Sequence, residues 1–202
     1  MLSIEQSQLT PKEEYKILIG TVIPRPIAFV STLSKEGHLN LAPFSFYNIV
    51  SYNPPVVSVS IQRKDGVMKD SARNILRQGE AVIHSVSSDN LEMVNQAAKA
   101  LPENESELPL TGMTAVASSK IQTPGVLEAK TRFETKLYNH IPITDDQEQV
   151  VADLMLLRVV HYHMDDTVYQ NTYVLPDKLD PMSRLAGQDY ASLGELTRLE
   201  RP

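Results

Sequence analysis

Small hydroxyl and amide side chains punctuate two adjacent strand-like segments: Ser31 and Thr32 end the first, and Asn40 and Ser45 flank the apolar part of the second. Such groups let a flat ligand with a polar edge approach the backbone closely, and they also suit an ordinary edge hairpin. A second set lies between Gln62 and Gln78, where Arg63, Lys64, Lys69, Arg73 and Arg77 are opposed only by Asp65 and Asp70. With Asp70 or Ser71 capping a helix, positive charge there meets free N–H groups, which is what a phosphate needs; a solvated face of mixed charge has the same composition. His161 and His163 can share one face of a strand and bind a metal with Asp165, but without clear further ligands the pair reads as structural, as does the lone His84. The carboxylates are scattered, with no pair suited to acid–base work.

Several chemistries are excluded. No GxGxxG follows a strand, and neither GxxxxGK[ST] nor GxSxG occurs. The lack of cysteine removes disulfides, thiolate metal sites, iron–sulfur clusters and cysteine nucleophiles. A formal charge of −6 speaks against a general nucleic-acid binder. What is left is a set of binding groups without a catalytic set, the pattern of a protein whose cofactor carries the chemistry.

The elements that must position these groups belong to one domain of 202 residues, 42% hydrophobic and 22% charged. No apolar run approaches a membrane span, and MLSIEQSQLTPKEEY lacks the features of a secretory signal, so a cytoplasmic location without membrane attachment is expected. Thr10-Pro11-Lys12-Glu13 forms a capping box opening a short helix, with Tyr15, Leu18 and Ile19 as its apolar face and Pro24 beyond its end. The hairpin from Pro24 to Ser45 turns at Lys35-Glu36-Gly37, and its second strand runs on through Phe46, Tyr47, Ile49 and Val50. Val56–Ile61 and Ala81–Val86 read as strands, as do 113–119, 131–143 and 150–163, the last two joined by the polar turn Asp145-Asp146-Gln147-Glu148. Between them lie a helix with Ala72, Ile75 and Leu76 on one face and another running from Asp89 through Ala98. Residues 99–110, with Glu103, Glu105 and Glu107, read as an exposed acidic loop or lid, and 183–196 as a polar C-terminal segment. Many strands and few peripheral helices predict a mainly β fold, a closed or nearly closed antiparallel barrel.

Five segments together give a resemblance: PRPIAFVST (24–32), NLAPFSFYN (40–48), NPPVVSVSIQ (53–62), KDSARNI (69–75) and SRLAGQDY (183–190). In this order the sequence resembles the flavin reductase-like, FMN-binding split-barrel proteins, in the branch that includes reductase components of two-component flavin monooxygenases. The resemblance implies a single domain over 1–202: a six-stranded antiparallel Greek-key barrel over about 21–165, with a C-terminal extension over 166–202. It also implies a homodimer and a groove for FMN near its interface. Carried onto this chain, it assigns Ser31 and Thr32 to the ribityl or phosphate part of FMN and places Phe29 at the cofactor site or in the plain core. Asn40, Ala42, Pro43, Phe44 and Ser45 would line the isoalloxazine ring, with Ser60 and Gln62 facing the same groove. Lys69, Asp70, Ser71 and Asn74 would surround the phosphate, Lys69 as the point charge and Asp70 as a cap. Arg184, Gly187 and Tyr190 would close over the cofactor, while Arg25 matches without a stated role. The implied activity is hydride transfer from NADH or NADPH to FMN, with no catalytic side chain and no metal, and with a partner monooxygenase receiving reduced flavin. An FMN carrier, store or sensor without efficient turnover is the alternative.

Overall fold

The apolar runs condense into seven hydrogen-bonded strands: β1 (Ala28–Leu33), β2 (Leu39–Phe44), β3 (Tyr47–Tyr52), β4 (Pro55–Gln62), β5 (Glu80–His84), β6 (Thr131–Thr144) and β7 (Val150–Met164). They are seen in a computed structural model that describes residues 1–102 and 105–200. Their spatial order is β2-β1-β5-β6-β7-β4-β3, and every neighbouring pair is antiparallel. The two outer strands are consecutive in the chain. Only Ser45 and Phe46 separate β2 from β3, and Ser60 N donates to Phe46 O at 2.8 Å across this corner. The sheet therefore folds back on itself there. The sequence reading expects six barrel strands; among the described residues the main sheet has seven, because Ser45–Phe46 breaks one bent strand as it changes partners from β1 to β4.

Burial explains the poor alternation of β1. Ala28 and Val30 enter one core cluster with Val59, Ile61 and Met155, while Phe29 enters a second with Leu41, Val94 and Val126. A strand covered on both faces has no reason to alternate. Helix α1 (Pro11–Thr21) starts with the expected capping box: Thr10 N donates to Glu13 Oε2 at 2.9 Å, and the Thr10 hydroxyl accepts from Glu13 N. Its expected apolar face is not buried as a unit. Ile19 is covered, whereas Tyr15 and Leu18 stay more than half exposed, because the helix lies along a cleft rim rather than on the core.

Helix α2 (Asp70–Gln78) buries Ser71, Ala72, Asn74 and Ile75, while Leu76 faces outward, so its buried stripe is half polar. Lys69 occupies the N-cap without a side-chain cap bond, so neither Asp70 nor Ser71 caps as expected. Helix α3 (Leu91–Gln96) is shorter than expected, and its N-cap is Asn90, whose Oδ1 accepts from Ser87 N at 3.0 Å. Of the strand expected over 113–119, only Ala115–Val116 pairs, with Gly125–Val126. The C-terminal extension is tied back to the barrel entrance, where Ser183–Arg184 pairs with both Arg25–Pro26 and Tyr190–Ala191. No helix among the described residues is long and apolar enough to cross a membrane.

Candidate functional site

A cleft of about 470 Å³ opens where the barrel corner, α1, α3 and the C-terminal extension meet. Nine of the expected residues line it: Pro43, Phe44 and Ser45 from the corner, Ser60 and Gln62 from β4, Lys69 ahead of α2, and Arg184, Gly187 and Tyr190 from the extension. The sequence reading missed Tyr15 and Ile19 as walls, treating them only as a helix face, and it missed Phe46, Asn95, Ala98 and Leu185. Pattern alone carries no sign of these contacts, which come from elements far apart in the chain.

The cleft's charge is one-sided. Arg25, Lys69 and Arg184 line it, and no aspartate or glutamate does, although the chain carries a formal charge of −6. Lys69 holds its ammonium 5.7 Å from the centre of the Phe44 ring and has no carboxylate partner among the described residues. Arg184 stacks over Tyr190 at 4.4 Å and donates to Gly187 O, which shapes the extension into a tight wall. The Tyr190 hydroxyl reaches Asn95 Oδ1 at 3.3 Å, joining that wall to α3. Arg25 has a different job. It is 7% exposed and donates to the carbonyls of Ile19 (2.7 Å), Val22 (2.8 Å) and Leu185 (2.8 Å), and to Ser45 Oγ at 3.4 Å. A single guanidinium thus ties together the end of α1, the extension and the corner.

The other basic residues do not gather as a patch. Arg63 forms a two-bond pair with the buried Asp153 at 2.9 Å, Arg73 pairs with Asp70 at 2.8 Å, and Arg77 donates to Leu33 O. Lys69 is the cation of this run that faces the cleft.

Eight expected residues lie off the cleft. Phe29 is fully buried and packs on His84, with ring centres 5.7 Å apart. Ser31 and Thr32 do not leave the strand; both sit within β1, fully buried, and Ser31 Oγ donates to Pro124 O at 2.6 Å. Thr32, Asn40, Ser71 and Asn74 form one network: Asn74 Nδ2 donates to Thr32 Oγ1 (3.1 Å), Thr32 Oγ1 lies 3.2 Å from Asn40 Oδ1, and Ser71 Oγ donates to that same oxygen at 2.8 Å. Glu107 completes it, accepting from Asn40 Nδ2 (3.1 Å to each carboxylate oxygen) and Leu41 N (2.9 Å). Ala42 packs against the barrel core, and the carboxylate of Asp70 is held by Arg73. The network fastens the start of α2 to the β1–β2 hairpin, so these polar groups position Lys69 instead of lining the cleft. The expected lid is corrected too. Glu107 is buried, Ser106 donates to Leu39 O, and nothing described from this segment lines the cleft; Glu103 lies outside the described residues.

Burial pushes the Glu107 carboxyl above its ordinary range, against the pull of its N–H donors. His84 is held neutral, its pKa lowered to about 4 by burial, with Nδ1 at 2.8 Å from Phe29 O and Nε2 accepting from Val126 N at 3.0 Å.

The residues of the cleft fit a large anionic, partly aromatic ligand. Lys69 and Arg184 bring positive charge without a carboxylate partner among the described residues, Phe44 and Tyr190 offer flat apolar faces, and Ser45, Ser60 and Gln62 offer polar groups. A family model described as flavin reductase like domain matches residues 19–179. The chain is 48% identical over 204 residues to YwrF, an uncharacterized protein of Bacillus subtilis, covering 100% of each. Among solved structures it is similar to nitrilotriacetate monooxygenase component B from Bacillus cereus, with a TM-score of 0.96, 44% identity and 98% of each chain covered. It is also similar to the 2-nitrobenzoate 2-nitroreductase NbaA of Pseudomonas fluorescens, with a TM-score of 0.89, 26% identity, and coverage of 100% of this chain and 96% of that one. By fold, cleft chemistry and sequence, the chain belongs to the flavin reductase-like domain family.

Proposed function

We propose that the cleft binds FMN and that the protein is an NAD(P)H-dependent flavin reductase supplying reduced flavin to a partner monooxygenase. The observation that carries this reading is the cleft with Arg25, Lys69 and Arg184 and no carboxylate, in an otherwise acidic chain. When bound, FMN supplies the redox chemistry by accepting a hydride from nicotinamide. Lys69, the N-cap residue of α2, faces the cleft and is the point charge that holds the phosphate. Ser45, Ser60 and Gln62 orient the polar edge of the ring, Gln62 being itself held by Ser60 at 3.2 Å. Phe44 and Tyr190 flank the apolar part, and Arg184 meets an anionic group, either the same FMN phosphate or a phosphate of the nicotinamide nucleotide. No side chain needs to move a proton in this scheme, in keeping with a cleft that offers no aspartate, glutamate or histidine.

The similarity to a monooxygenase component B supports an oxygenase partner, and the similarity to a 2-nitrobenzoate 2-nitroreductase supports a reductive activity. Exposed Ile49, Val50 and Tyr52 on β3, with Tyr138, Ile141 and Ile143 on β6, support a homodimer that covers them. The test is an anaerobic titration of the FMN-loaded protein with NADH and then NADPH, followed by aerobic turnover with free FMN. Stoichiometric bleaching and sustained NAD(P)H oxidation are expected. Failure to bind FMN at micromolar concentration overturns the reading, and a single slow reduction without turnover makes the protein a carrier.

A further inference from the structure

Away from the cleft stands a group of metal-ligating side chains that flavin chemistry does not use. The ladder between β6 and β7 sets Glu134 opposite His161, with an irregularity between Val159 and His161. His163 lies two residues further on the same side of β7, since strand side chains alternate with period 2. One ligand atom each from Glu134, His161 and His163 lies within 4.8 Å of the other two. We propose that Glu134, His161 and His163 form a binding site for a divalent metal ion of the zinc class, with its remaining coordination position open to solvent.

One carboxylate and two imidazoles are a donor set that binds zinc with an exchangeable fourth position. The carboxylate is already oriented for this. Glu134 is fully buried, and its two oxygens accept from Ser119 N and Lys120 N, each at 2.6 Å. Outer hydrogen bonds of this kind fix the direction of a metal ligand.

His163 Nε2 lies 2.6 Å from Glu134 Oε1. Donors around one zinc ion stand roughly 3.3 Å apart, given metal–ligand distances near 2.0–2.2 Å. Insertion of the ion thus requires a small swing of the His163 imidazole, whose side chain is 24% exposed. Among the described residues the His161 ring has no hydrogen-bond partner; it meets His163 edge-on, with centres 4.7 Å apart. Asp165, the third ligand that the sequence suggests, is engaged instead with Thr167 at 2.6 and 2.8 Å. Arg132 pairs across the ladder with His163, and its guanidinium is directed to Val126 O at 3.2 Å. None of the three ligands lines the cleft, so this proposal and the flavin reading stand or fall separately.

The experiment is a titration of the chelator-treated full-length protein with Co²⁺, read by ligand-field absorption, followed by displacement with Zn²⁺. One Co²⁺ per chain is expected, with the strong bands of a four- or five-coordinate ion. His161→Ala leaves the His163–Glu134 bond in place and should melt like the wild type without metal. It should weaken Co²⁺ binding by about 100-fold or more, beyond the 10–100-fold typical of losing an outer partner. His140→Ala removes a histidine elsewhere and should bind as the wild type does. Zn²⁺ should raise the melting temperature of the wild type but not of His161→Ala. Should His161→Ala fail to fold, His161→Gln takes its place. Weak six-coordinate bands only, or a His161 variant binding within about threefold of the wild type, overturns the proposal.

Discussion

The β1–β2 hairpin borders two polar neighbourhoods with opposite properties. On one side, Thr32, Asn40, Ser71, Asn74 and Glu107 are bonded to one another and are mostly buried. On the other, around Phe44 and Ser45, Lys69 and Arg184 face a cleft without an anion to meet them. Both sides are rich in the residues that mark a binding site. What separates them is charge: the Glu107 carboxylate of the first is bonded to amides, whereas Lys69 and Arg184 of the second have no carboxylate partner among the described residues. A buried hydroxyl or amide that lost its bond would cost stability, whereas a cation facing open solvent is held in reserve for a ligand. On the proposed reading the first neighbourhood is scaffold and the second is the candidate site.

Perturbing the two sides should therefore give separable effects. The largest belongs to the buried interior and needs no mutation. His84 is neutral in the folded state down to about pH 4, while an unfolded histidine protonates near 6.5. The folded pKa is the depressed one, so the unfolded chain binds the extra proton and stability falls as pH drops from 6.5 to 4. The expected loss is about 3 kcal/mol, measurable by urea unfolding across that range, and His84→Gln should flatten the slope.

Next comes Glu107→Ala, which strips the acceptors from Asn40 Nδ2 and Leu41 N. It should destabilise the fold by about 2–3 kcal/mol while leaving the FMN affinity of folded protein within about threefold. Equal losses of both would merge the two neighbourhoods into one. Arg184→Gln should do the reverse, weakening one anionic ligand about fivefold with stability nearly unchanged. Whether the dissociation constant for FMN or the KM for the nicotinamide moves then tells which phosphate Arg184 meets. The smallest effect is that of Ser31→Ala, about 1 kcal/mol of stability from the lost bond to Pro124 O, with flavin binding unaltered.

The same contrast says how far the sequence could be read. The strands were legible because their apolar runs are long, as in the pair from Thr131 to Thr144 and Val150 to Met164. The capping box at Thr10 and Glu13 is local chemistry and was equally plain. The motif residues were found but not sorted. Ser31 and Ser45 look alike in a strand–turn pattern, and only the fold shows that one donates to a carbonyl 93 residues away while the other lines the cleft. Glu107 read as a loop charge because its partners, Asn40 and Leu41, are remote in sequence. Arg25 could not be assigned for the same reason: its three shortest hydrogen bonds end on carbonyls, which leave no trace in side-chain pattern.

The central claim is that Lys69 in the cleft holds the FMN phosphate, and fluorescence titration with FMN and with riboflavin tests it most directly. In the wild type, FMN should bind much more tightly than riboflavin, and added salt should reduce the difference. In Lys69→Ala, FMN affinity should fall by about 10–100-fold, the worth of a hydrogen bond to a charged group, while riboflavin affinity stays unchanged. Equal affinities for FMN in the variant and the wild type would contradict the account.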